Sequence, residues 1–178
     1  MKAKLLPFSI ALILTFNAFA ALRAADQLTE AESVARRYMT ALLQGDLEMS
    51  FSLMDPRVLD RRKAAIAQAY AYAKKQGKAD EFEDRFKNIE DLDSILKLPS
   101  KQFFILLVKK DRENAPAEHL EAMKQTVVNV LGSTRIDAET AKVMLEIIPP
   151  QSISETRQED GLILRLYKGE WKVVENAR

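Results

Sequence analysis

The chain predicts an α+β fold in which N-terminal helices pack on one face of a curved C-terminal antiparallel sheet. Three observations carry this reading. The stretch from Gln125 to Glu175 is dominated by strand-type residues and closes with Gly169, Glu170, Trp171, Lys172, Val173 and Val174. The region before it places apolar residues at three- and four-residue spacing, the period of a helix with one buried face. Helix start and stop signals punctuate that region, with Asp55 and Pro56 at one start and Gly45 and Gly77 at two ends.

The N-terminus reads as a secretory signal peptide. Lys2 and Lys4 precede an apolar run from Leu5 to Phe16, and Ala18, Phe19, Ala20 supplies small residues where a signal peptidase reads them. A membrane anchor needs about 20 apolar residues, and Asn17 interrupts this run earlier. The expectation is therefore cleavage after Ala20 and a periplasmic or secreted bacterial product with no stable membrane anchor. Residues 21–178 then form a single α+β domain, large enough to bury roughly 70% of its unfolded surface, with helices over about residues 29–123 and the sheet over about 125–176.

Composition excludes several functions. The whole chain carries 27 basic and 26 acidic residues, a net charge of +1, and loss of Lys2 and Lys4 turns this into −1. No strongly basic field exists to attract nucleic acid. The absence of cysteine rules out disulfides, thiolate metal sites and a lipobox anchor. With one histidine besides, a transition-metal site is not expected, nor is any cofactor.

Thr29 and Glu32 form a capping-box pattern, predicting a helix start with Ala31, Val34, Ala35, Tyr38, Ala41 and Leu42 on its apolar face and Gly45 at its end. Asp46 predicts the cap of a short second helix carrying Leu47, Phe51 and Met54. Asp55 and Pro56 open a third, running to about Gln76. A fourth is expected through Phe82, Phe86, Ile89, Leu92 and Leu96, its acidic flank facing the basic flank of the third as a solvated helical hairpin. Phe103 to Val108 is continuously apolar, so periodicity alone leaves helix and strand open. A Ser100 cap and the flanking charges favour a helix buried nearly all round. Pro116 opens one more short helix through Leu120 and Met123.

In the sheet region, Thr126 to Leu131 is β-rich and Asp137 to Glu139 makes a turn. Ala141, Val143, Leu145 and Ile147 then alternate with Lys142, Met144, Glu146 and Ile148. Leu162, Leu164 and Leu166 point inward on a third strand, and Lys168 and Gly169 turn it into the last. Such a meander needs helical cover on one face.

This order of elements, from a capped first helix to the Gly169, Glu170, Trp171, Lys172, Val173 hairpin, resembles the nuclear transport factor 2-like superfamily. The region from Pro56 to Pro116 is longer and more helical than that compact pattern needs. The resemblance implies a conical cavity between helices and sheet, and a fold shared by isomerases, dehydratases and carrier modules, so it leaves function open. It also directs attention to carboxylate, histidine and tyrosine side chains. Tyr38, Phe104, Met144, Arg165 and Trp171 are the candidate cavity-lining residues, although each also reads as plain core or, for Arg165, as a solvated cation. No catalytic residue is assigned: His119 sits among Glu118 and Glu121 at a surface turn without an identifiable partner. Tyr70 is expected in the core and Tyr72 outside it, since neighbours two apart on a helix diverge. The expectation is an exported, non-enzymatic binding or interaction module for a protein or a small apolar ligand, with a homodimer open. A small hydrolyase or isomerase and a carrier of an apolar ligand are the alternatives.

Overall fold

The computed structural model describes residues 8–83, 86, 89, 91–151 and 156–176, and side chains from residue 26 onward. The chain is α+β, with helices preceding a four-stranded antiparallel sheet in the order β1-β2-β3-β4 that does not close into a barrel. The helices are α1 (Phe8–Gln44), α2 (Leu47–Ser52), α3 (Pro56–Lys75), α4 (Ala79–Glu83), α5 (Leu92–Ile95), α6 (Ser100–Glu113) and α7 (Ala117–Gln125). The strands are β1 (Val127–Arg135), β2 (Thr140–Ile148), β3 (Gln158–Tyr167) and β4 (Glu170–Asn176).

The first helix corrects the sequence reading. It does not begin at Thr29 but runs unbroken from Phe8, because no glycine or proline separates Pro7 from Gly45. Glu32, expected to reach back to the helix start, instead accepts a hydrogen bond from Ser133 Oγ of β1 at 2.6 Å. The end falls where predicted. Gly45 adopts φ 84°, and paired hydrogen bonds from Gly45 N to Leu42 O and from Asp46 N to Ala41 O close a Schellman turn.

Asp46 caps α2, accepting from Met49 N at 3.0 Å, and Asp55 caps α3 with Pro56 in its first turn. The single fourth helix is replaced by two short ones. Asp91 caps a new start at Leu92 by accepting from Ser94 N, and residues 84, 85, 87, 88 and 90 lie outside the described set. Of the opposed charged flanks, Lys74 and Asp93 pair across α3 and α5. The apolar run from Phe103 to Val108 is helical, but Pro99 and not Ser100 occupies the cap position. Phe103 alone is fully buried and its neighbours are half-buried, so the helix is not enclosed on every side.

Strand alternation holds on β2, where Ala141, Val143 and Leu145 are fully buried and Lys142, Met144 and Glu146 are not. β3 starts earlier than Leu162, since Gln158 to Gly161 pair with β2 as far as Ile147. α1 lies against the inner face, with Ala31, Val34, Ala35 and Met39 packed on Leu145, Leu162, Leu164, Trp171 and Val173 in one core. Tyr70, Leu92 and Phe103 form a second cluster, and Phe104 packs against both. Tyr72 is 67% exposed, as its spacing from Tyr70 requires.

Candidate functional site

The α2–α3 junction meets the β3–β4 hairpin at the edge of the sheet. Met54 makes a parallel bridge to Val173, with Asp55 N donating to Val173 O and Val173 N donating to Leu53 O, each at 2.9 Å. Asp55 is held there from its own side. It is 1% exposed, accepts from Arg57 N at 2.9 Å, and takes a fork from the Arg57 guanidinium at 2.6 to 3.2 Å. This charged hydrogen bonding holds the Asp55 carboxyl below its usual range. The same guanidinium stacks over the Tyr167 ring with its carbon 4.6 Å from the centroid, so one arginine joins the start of α3 to the end of β3.

That joint shapes an open cleft of about 380 Å³, lined by Phe51, Ser52, Met54, Pro56 and Leu59 on the helical side and by Tyr167, Lys168, Glu170 and Lys172 on the hairpin, with Lys101 of α6 at the rim. Its floor is firm. Phe51 stacks on Phe104 at 6.1 Å, and Met54 and Leu59 belong to the main core. The polar rim is mostly engaged, with Lys172 Nζ reaching Ser52 O at 3.1 Å and Glu170 at 2.9 Å, and Lys101 reaching Glu48 at 2.7 Å. Lys168 rests its ammonium 5.4 Å from the Tyr167 centroid and makes no ion pair among the described residues. The cleft therefore offers the Phe51 and Tyr167 rings, the half-buried Pro56 and a cation in excess. Its carboxylate, Glu170, is paired with Lys172.

The five candidate cavity residues do not converge there. Tyr38 is half-buried on α1 against the main core, and burial pushes its phenol up, opposed by Arg62 and reinforced by Asp160, so it stays a protonated hydrogen-bond donor at neutral pH. Phe104 backs the cleft floor through Phe51. Met144 is half-buried on the sheet face opposite the helices, in register with Gly132 and Gly161. Arg165 is exposed on that face, and its charge helps to lower the carboxyls of Asp55 and Asp137. Trp171 is 1% exposed in the main core, and its Nε1 has no hydrogen-bond partner among the described residues. His119 is exposed on α7.

The cleft residues were missed because it is made by a contact between residues more than a hundred positions apart. Asp55, Pro56, Lys168 and Gly169 are each legible as local signals, yet none says that the two turns meet. The nearest signal was compositional, in the hairpin lysines Lys168 and Lys172 flanking Glu170. Among the described residues no cluster of His, Asp and Glu is arranged to hold a metal ion. Comparison with protein-family models, curated proteins and solved structures gives no match.

Proposed function

We propose that this protein is an exported, non-enzymatic binding module that takes its ligand in the cleft between the α2–α3 junction and the β3–β4 hairpin. The observation that carries the reading is the cleft itself. Its volume lies at the small end of ligand sites, and its lining divides between apolar or aromatic residues and polar or charged ones. The nuclear transport factor 2-like assignment belongs to the same proposal, supported by helices on one face of a four-stranded antiparallel meander. Export is supported by the signal-peptide pattern of Lys2, Lys4, the apolar run and the Ala18, Phe19, Ala20 site. No helix among the described residues is long and apolar enough to cross a membrane.

Native mass spectrometry of the protein recovered gently from its own envelope tests the reading. A co-purifying small molecule is the expected result, and a protein adduct would shift it to an interaction partner. Conversion of a metabolite by the protein, abolished by Tyr38→Phe or His119→Ala, would refute the non-enzymatic claim.

A further inference from the structure

We infer that Met49 is a site of oxidation by a hydroperoxide, and that the Arg37 guanidinium then holds the sulfoxide oxygen and clasps α1 to α2. The place is set by how α2 packs. Leu47, Ser50 and Phe51 take its buried face, with Leu47 and Phe51 in one core with Ala35 and Met39 of α1, and this leaves Met49 outside at 39% exposure. Arg37, exposed on α1, donates from Nη2 to Met49 Sδ at 3.7 Å. It makes no ion pair and no other hydrogen bond among the described residues. Ser52 Oγ lies 4.0 Å from the same sulfur, but its hydroxyl is already given to Met49 O at 2.7 Å. The other described methionines of the domain are more enclosed. Met39 and Met54 are 6% and 5% exposed in the main core, and Met123 and Met144 are half-buried, so an oxidant arriving from solvent meets the Met49 sulfur first.

A thioether sulfur is a weak acceptor, and the lone pair that does not face Arg37 is free to attack the terminal oxygen of a hydroperoxide. The sulfur–oxygen bond forms as the oxygen–oxygen bond breaks. Sulfur gives up an electron pair, and the departing alkoxide or hydroxide takes the proton of the transferred hydroxyl and leaves as an alcohol or water. The product is methionine sulfoxide, a polar group that disrupts a core when it forms inside one. At Met49 the new oxygen stands in solvent beside a guanidinium with most of its donors free. The hydrogen bond it accepts there is charge-assisted and stronger than the one the sulfur accepted. Its two ends belong to different helices, so oxidation at this position tightens the α1–α2 pair where oxidation of Met39 or Met54 would loosen the core.

Peptide mass mapping of the full chain after limiting hydrogen peroxide should show one oxygen added to Met49 at least about threefold faster than to Met39, Met54, Met123 or Met144. The protein oxidised at Met49 should melt about 1 to 3 °C above the untreated protein. Arg37→Ala should abolish that rise while leaving Met49 the first of these methionines to react. Without any oxidant, Met49→Gln, whose amide oxygen stands in for the sulfoxide oxygen, should melt higher than Met49→Leu, and the difference should vanish when each is combined with Arg37→Ala. Equal or faster oxidation of any of the other four methionines would overturn the site. Absence of a rise on oxidation of Met49, the same rise in Arg37→Ala, or equal melting of Met49→Gln and Met49→Leu would overturn the clasp.

Discussion

Trp171 shows how much one side chain can carry. Its indole packs in the core shared by α1 and the last two strands, while its Nε1 finds no partner among the described residues. Trp171→Ala should cost about 3 to 5 kcal/mol in denaturant melts of the protein, the range for emptying a large aromatic site. Trp171→Phe should cost less than half of that, because it also removes a buried donor whose desolvation is uncompensated. Asp55 is the polar counterpart. Asp55→Ala removes a helix cap and a buried charged acceptor, an expected loss of about 2 kcal/mol, and Asp55→Asn, which can still cap, should lose less. Because the folded carboxyl is lowered, its contribution is present above the ordinary aspartate pKa and disappears as pH falls through the folded value. The stability gap between the native protein and Asp55→Asn should therefore narrow below about pH 4. Chemical denaturation at several pH values reads this directly. Asp55 was visible in the sequence as a cap. Its fork with Arg57 was not, since the same spacing of acid and arginine occurs on many solvated helix ends.

At the scale of elements, what repeats or punctuates was legible and what depends on distant contact was not. The end of α1 at Gly45, the caps of α2 and α3, the alternation of β2 and the Lys168–Gly169 turn all follow from residues within a few positions of one another. The start of α1 did not follow, because a capping-box pattern inside an uninterrupted run of helix formers has no power to stop the helix behind it. The fourth helix failed for the converse reason: Asp91 offers a local restart that outweighs apolar spacing across it. Arg112 of α6 supplies a link that no local pattern contains, its guanidinium donating to Leu42 O at 3.0 Å and Leu43 O at 3.3 Å. These are carbonyls of the last turn of α1, where a cation also meets the negative end of the helix dipole. A Cβ at Gly45 would stand 3.0 Å from Arg112 Nη2. Gly45→Ala should thus cost about 1 to 2 kcal/mol from the left-handed backbone alone, with further loss as Arg112 is displaced. Thermal melts of Gly45→Ala and of Gly45→Ala combined with Arg112→Ala would show the coupling as a shortfall from additivity.

For the whole molecule, the proposed export makes a direct prediction: material recovered from the envelope should begin at Ala21 by N-terminal sequencing, and retention of Met1 on a membrane-bound form would refute export. A chain of residues 21–178 should unfold cooperatively in denaturant, as the proposed export requires of a domain that stands without the leader. Its fold class was readable because one sheet and one helical layer leave different periodicities in different thirds of the chain. The meeting of the α2–α3 junction with β4 was not, being a single parallel rung between Met54 and Val173. That rung has a consequence for how copies of the chain can associate. Among the described residues β1 pairs on one side only, through β2, whereas the far side of β4 is already occupied at Val173. Edge-to-edge addition is therefore monofunctional in the sense used for polymers. Two copies joined through β1 would consume the one reactive end that each possesses, and the rung at Val173 would act as the chain stopper that ends growth at a pair.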